Sequence, residues 1–276
     1  MDLVKKVLGR VGFYTFVALV STTFALPLLW LLFAPFNRQA HMSVRIPNEP
    51  TLEHFRSVFQ NAFAVRALFV NSVIQAVGAM FLITIVATLT AYSISRIKLP
   101  GRDLFVYILI LFSSVVTGSA AMVPIFLLIF RMGLIDSHTG VILVFTGGLL
   151  PVAIFIMRDF MQSLPKSYEE SALVNGAGTL RMLLDVVLPL TRPGMLVIGI
   201  WAFVNVWGSF LIPFILLRSP GRMPAATATY SFYTEAGTPV ITLVSAYAFL
   251  YVIPVLILYL FVNWKYGFQF FGGIKS

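Results

Sequence analysis

Ser167-Tyr-Glu-Glu-Ser-Ala-Leu-Val-Asn-Gly-Ala-Gly178, followed after an amphipathic run by Leu188-Pro189-Leu190, is a charged, glycine-punctuated island between two long apolar runs. The chain around it sets the solvent. Hydrophobic residues make up 59% of the 276 and charged residues 11%, with a mean hydropathy of +0.94. Soluble domains carry roughly 25% charge, so the composition is that of an integral membrane protein. A polar segment of this length between two membrane runs has its work to do outside the bilayer.

Working outward from the island, six charge-free stretches are long enough to cross: residues 11–37, 67–95, 104–130, 137–157, 193–217 and 236–264. Each exceeds the ~20 apolar residues that a helix needs to span a hydrocarbon core about 30 Å thick. They are continuously apolar, whereas barrel strands are about ten residues long and alternate in polarity. The expected fold is therefore an all-α, multi-pass membrane protein of six transmembrane helices, a single transmembrane domain over 1–276.

Basic residues orient it. With the N-terminus inside, the inner segments hold twelve of the 19 Lys and Arg, including every lysine, and both termini are cytoplasmic. The island, at about 159–193, then faces the cytoplasm. The net charge of +9 reads as inner-leaflet lipid anchoring, since no Lys/Arg run or basic helix face points to nucleic acid. Lys5, Lys6 and Arg10 precede a run far longer than the ~7 to 15 residues of a secretory signal core, which predicts an uncleaved first span. The absence of cysteine excludes disulfides, Cys-ligated zinc and thiol catalysis.

The loops differ in kind. In the first outer loop, Pro47 and Pro50 precede Thr51-Leu-Glu-His-Phe-Arg-Ser-Val-Phe59, whose apolar residues recur at helical spacing. A helix starting near Thr51 and lying on the outer leaflet is expected. Pro100-Gly101 marks a tight inner turn, and Pro124 and Pro151 predict kinked spans.

Within the island, Ser167 and Glu170 have capping-box spacing, which predicts reciprocal bonds at a helix start. Two turns of helix would reach Asn175 and stop at Gly176. Thr179 would cap a second helix with Leu180, Leu183, Leu184, Val187 and Leu188 on one face and Arg181 and Asp185 on the other. Pro189 and Pro193 would then close the segment before the fifth span.

Glu170-Ser171-Ala172, then Gly176, then Leu188-Pro189 resemble the EAA loop of membrane permeases from binding-protein-dependent ABC importers. The chain is similar, more narrowly, to the MalG-type subunit of the carbohydrate-uptake group. Asn71-Ser72-Val73, Ala91 to Arg96 with Pro100-Gly101, Pro124-Ile125-Phe126, Gly133 to Asp136 and Leu164-Pro165 agree with the same resemblance. Two segments depart from it. Ser171 replaces the second residue of the motif, and Trp207-Gly208-Ser209-Phe210 stands where members often carry Trp-Asn-x-Phe, with an asparagine at Asn205 instead. The terminal Gly272 to Ser276 resembles the family's Gly-rich tail.

The resemblance implies a division of labour. A second permease subunit completes the pathway as a heterodimer, two cytoplasmic ATP-binding subunits drive it, and an extracytoplasmic solute-binding protein delivers the solute at a bacterial-type cytoplasmic (inner) membrane. It implies an ATPase-coupling set at Glu169, Glu170, Ser171, Ala172, Asn175, Gly176, Ala177 and Pro189. In that set Glu170 would make the polar contact, Ala172 would permit close approach and Gly176 would form the turn. ATP and Mg would sit on the partner, with no cofactor bound by this chain.

Polar residues at membrane depth are candidates for pathway lining: Asn71, Gln75, Ser114, Asn205, Ser209 and Tyr247, with Ser113, Thr117 and Tyr251 beside them. No Asp, Glu, Lys or Arg lies inside a proposed span, which argues against proton or ion coupling. His41, His54 and His138 are too scattered for a metal site, and neither a nucleophile-base pair nor a phosphate-cradling Gly-Lys-Ser/Thr motif occurs. The expected function is a non-enzymatic importer subunit for a sugar or related polyol. The alternatives are the same machine carrying another solute such as a glycerophosphodiester, and a six-span membrane enzyme or scaffold.

Overall fold

The structure is a computed structural model that describes residues 2–39, 43–96, 101, 104, 106–111 and 121–266. The described residues are helical, without strands. Among the described residues, five helices are long and apolar enough to cross a membrane: Gly9–Phe36, Ala62–Arg96, His138–Ser163, Thr179–Trp207 and Ile241–Lys265. Of the expected span at 104–130, residues 112–120, with Ser113, Ser114 and Thr117, lie outside the described residues. So do His41, Pro100 and the tail from Gly272 to Ser276.

The chain clusters into two compact units. The first comprises 1–65 and 229–276. It holds α1 (Asp2–Phe33), a short 3-10 turn at Ala34–Phe36, α2 (Glu53–Gln60) and the last span, Ile241–Tyr266. α2 begins two residues after Thr51, whose hydroxyl accepts the Glu53 amide at 3.1 Å. Its apolar edge meets protein: Phe55 closes a triangle with Phe36 and Phe249, with ring centroids 5.3 to 5.8 Å apart, and Val58 is buried. Leu52 and Phe59 remain exposed, so only part of the expected outward apolar face is left for lipid.

The second unit, 66–228, is built on α3 (Ala62–Arg96), α5 (His138–Ser163) and α7 (Thr179–Trp207), with the shorter α4 (Met122–Arg131), α6 (Ser167–Val174) and α8 (Leu211–Leu216). α3 presents a small-residue face, with Ala76, Ala79, Ile83, Ala87 and Ala91 buried at helical spacing. Helices in lipid gain little from burying apolar area, so close approach at small residues holds them together. A Cβ on Gly78 would lie 2.6 Å from Ile142 of α5, and one on Gly194 of α7 would lie 2.8 Å from Phe160. Gly199 of α7 opposes Thr84 and Met80 of α3.

The prolines expected to kink the spans or close the island lie within helices. Pro124 falls in the first turn of α4, where its missing amide has no partner to lose. α5 runs through Pro151. Pro189 and Pro193 do not close the cytoplasmic segment, because α7 continues through both into the fifth expected span. A π segment at Leu183–Val187 immediately precedes them, and the Leu188 amide reaches back to the Leu183 carbonyl. The wider turn sits where the amide absent from Pro189 already interrupts the α pattern.

Candidate functional site

The island forms a short helix, α6, that ends on a glycine hinge before the start of α7. After Leu164-Pro165, Lys166 takes right-handed helical angles, so α6 starts one residue earlier than a Ser167 cap requires. The Lys166 carbonyl takes the Glu170 amide at 3.0 Å, and no side chain caps the helix. The expected capping box is therefore absent, because Ser167 lies inside the helix. That leaves the Glu170 side chain exposed. Glu169 and Glu170 both lie in the first turn, where negative charge suits the helix dipole.

The far end of α6 is a Schellman turn. Gly176 adopts φ +80, its amide bonds to the Leu173 carbonyl at 2.9 Å, and the Ala177 amide bonds to the Ala172 carbonyl at 3.0 Å. Asn175 adds a side-chain bond to the Ser171 carbonyl at 2.8 Å, so the last carbonyls of the helix have donors. Ala172 and Ala177 have intermediate exposure, while Ser171, Asn175 and Gly176 are exposed. Pro189 lies apart from the others, inside α7.

The second helix of the island starts on Gly178 without a side-chain cap, so Thr179 is its first residue rather than its cap. Met182 and Val187 turn inward, while Leu180 and Leu184 are exposed. Of the face expected from a 3.6-residue period, Val187 is buried, Leu183 and Leu188 are half-buried, and the π segment falls within it. Arg181 and Asp185 pair at 3.3 Å as spaced, but both are well exposed and contribute little.

No residue of α6 is buried, and Val174 at its tip is 88% exposed. One side chain turns back. Glu169 accepts from Arg96 Nε of α3 at 2.7 Å, and both side chains are mostly buried. Sequence spacing gives no sign of this pair, which joins residues in separate helices.

The membrane-depth candidates divide. Asn205 and Ser209 line a cavity of about 160 Å³ together with Met122, Phe145, Leu149 and Ile212. Asn205 donates to the Trp201 carbonyl at 2.7 Å, and α7 ends two residues later at Trp207, so Ser209 sits in the break before α8. Asn71 and Gln75 are buried and committed elsewhere. The Asn71 amide donates to the carbonyls of Gly221 and Met223, and that of Gln75 lies 3.2 Å from His138 Nδ1 and 3.3 Å from the Arg222 carbonyl. Tyr247 is buried in the other unit with its ring 5.0 Å from Phe232.

The 218–225 loop is clasped from a second side by Asp136, which the sequence marked only as the end of a matching segment. Asp136 has φ +55 and accepts from the amides of Arg218 and Ser219, both at 3.0 Å, and from the Ser219 hydroxyl. Arg222 donates to its carbonyl. The hydrogen bonds from Ser219, and more weakly the nearby Arg222 charge, hold the Asp136 carboxyl down at about 2. Among the described residues no cluster of three His, Asp or Glu side chains could hold a metal.

Comparison with known proteins gives one pattern. Residues 84–267 match the family described as the binding-protein-dependent transport system inner membrane component. The chain is 28% identical over 260 residues to the maltodextrin transport system permease protein MdxG of Bacillus subtilis, covering 94% of this chain and 93% of that one. It is 31% identical to the sulfoquinovosyl glycerol transport system permease protein SmoH of Agrobacterium fabrum, covering 84% of this chain and 82% of that one. Its fold is similar to a chain of a bacterial ABC transporter involved in import of the acidic polysaccharide alginate, with TM-score 0.80, 22% identity, and 95% and 97% of the two chains covered.

Proposed function

This chain belongs to the family of inner membrane components of binding-protein-dependent transport systems, and on that premise we propose that it is one permease subunit of an ABC importer that takes up a saccharide or related polyol across the cytoplasmic membrane of a bacterium. It forms half of the pathway beside a second permease. A solute-binding protein delivers the solute, and two cytoplasmic ATP-binding subunits drive the cycle. The chain has no catalytic site of its own, and ATP with its Mg is bound by the partner.

The observation that carries the coupling part of this reading is α6. An eight-residue helix with no buried residue, ended by a Gly176 hinge and held between two long helices, is exposed for a partner rather than for the bundle. Glu170 makes the polar contact with the ATPase, and the small side chains of Ser171 and Ala172 allow its groove to approach. Movement of the ATPase then passes into α5 and α7 at the two ends of the helix, a rigid-body form of switching. The named solutes of the similar permeases, a maltodextrin and a sulfoquinovosyl glycerol, support a saccharide cargo. Asn205 and Ser209 offer it amide and hydroxyl groups in a mostly apolar cavity, the usual make-up of a small-molecule site.

Affinity capture through this chain from its own membranes in mild detergent tests the reading. The captured complex should contain an ATP-binding subunit and a second permease. Recovery of the folded chain alone overturns it.

A further inference from the structure

We propose that Arg96 and Glu169 form a strut between α3 and α6, and that Glu169 is a positioning residue that sets the angle at which α6 meets its partner, leaving the contact itself to Glu170. The inference rests on the reading of α6 as the ATPase-facing helix and divides the two adjacent glutamates by role.

Three observations carry it. First, α6 has no apolar anchor: Tyr168, Leu173 and Val174 are all more than half exposed, and no residue of the helix is buried. An eight-residue helix is marginal in water by itself, and its direction has to come from outside its own backbone. Second, its chain connections leave that direction loose. Leu164-Pro165 enters it and the single left-handed residue Gly176 leaves it, so each end turns on a few dihedrals. Third, the Glu169 carboxylate lies 2.5 Å from the Arg96 guanidinium, with the two side chains 13% and 14% exposed. Tyr92, one turn before Arg96 on the same face of α3, also faces that carboxylate.

A pair this shielded from water differs from the exposed Arg181–Asp185 pair. Its charges are poorly screened, and removing one leaves the other short of both water and a countercharge. The strut also ends on the helix best placed to receive a push. α3 packs along both α5 and α7 at glycine contacts, and Arg96 is its last described residue. Motion of α6 therefore reaches α3 directly as well as through the chain.

Two measurements test this. In the purified chain, Glu169→Gln should raise amide hydrogen exchange across residues 168–177 by about tenfold relative to wild type, with exchange in the middle of α3 unchanged. Equal exchange in α6 overturns the strut whether or not an ATPase docks there. In the reconstituted importer, solute moved per ATP hydrolysed should fall about tenfold in Glu169→Gln and in Arg96→Glu, and the exchanged pair Arg96→Glu/Glu169→Arg should recover at least half of the loss. Unchanged solute per ATP in both single variants, or an exchanged pair no better than either, overturns the positioning role. A wild-type importer without ATP-driven uptake instead overturns the reading of α6, and the exchange result still decides the strut.

Discussion

Asn71 donates its side-chain amide to the carbonyl of Met223 at 2.9 Å, and with a second bond to Gly221 it binds α3 to a loop 150 residues further along the chain. The side chain is fully buried. Asn71→Ala removes the donor for both carbonyls and should destabilise the folded chain by about 1–3 kcal/mol. Asn71→Asp offers no donor and sets a carboxylate against two carbonyl oxygens, so it should be worse. Thermal unfolding in detergent checks the order, and wild-type midpoints for both variants would contradict it.

Asp136 gives that loop a pH dependence. Its carboxyl is held at about 2, below the usual 3.8, by the Ser219 hydroxyl and amide. A group with a depressed folded pKa stabilises the fold above its unfolded pKa and loses that contribution as pH falls toward the folded one. The stability difference between wild type and Asp136→Asn should therefore be constant above about pH 5 and shrink between about pH 4 and pH 2. Chemical denaturation across that range measures it, and a difference that grows on acidification contradicts the assignment.

Two glycines of α5 separate space from flexibility. A Cβ on Gly140 meets the Leu134 backbone carbonyl, which cannot move aside, whereas one on Gly147 meets nothing within 4 Å. Gly140→Ala should destabilise by about 1–3 kcal/mol, while Gly147→Ala should be neutral or better in a helix. Comparable melting of the two variants would contradict the packing described.

At Gly176 the demand is conformational. No neighbour lies near its Cβ position, but φ +80 disfavours L side chains. Gly176→Ala should cost about 1–2 kcal/mol at the turn, and Gly176→Asn less, because Asn tolerates the left-handed region. ATP hydrolysis stimulated by the loaded binding protein should rank wild type, then Asn, then Ala, then Leu. Equal rates across the series would mean that the hinge angle is irrelevant to coupling.

The residues show where sequence reading stops. Hydropathy places the long helices, and Gly176 marks a turn that only a few residue types make well. Ser167 and Thr179 fail as caps because a cap depends on the angles of the preceding residue, and Lys166 and Gly178 each begin the helix differently from what the spacing suggests. The π segments Ala67–Asn71 and Leu183–Val187 are invisible to a 3.6-residue period, and of the apolar face expected on the second helix of the island Val187 is buried while Leu180 and Leu184 are exposed. Asn71 and Gln75 have the composition of pathway residues, and only their partners at 221–223 reveal the loop they hold. Asp136–Ser219 and Arg96–Glu169 join residues 83 and 73 apart, beyond any local signal.

The most direct test of the central claim, that α6 couples this permease to an ATPase, is ATP-driven solute uptake by proteoliposomes holding the captured complex. Wild type should accumulate the saccharide only with ATP and the loaded binding protein, and Glu170→Lys, which reverses the exposed charge on α6, should abolish uptake while the variant still inserts and folds. Uptake by Glu170→Lys at the wild-type rate would contradict the account.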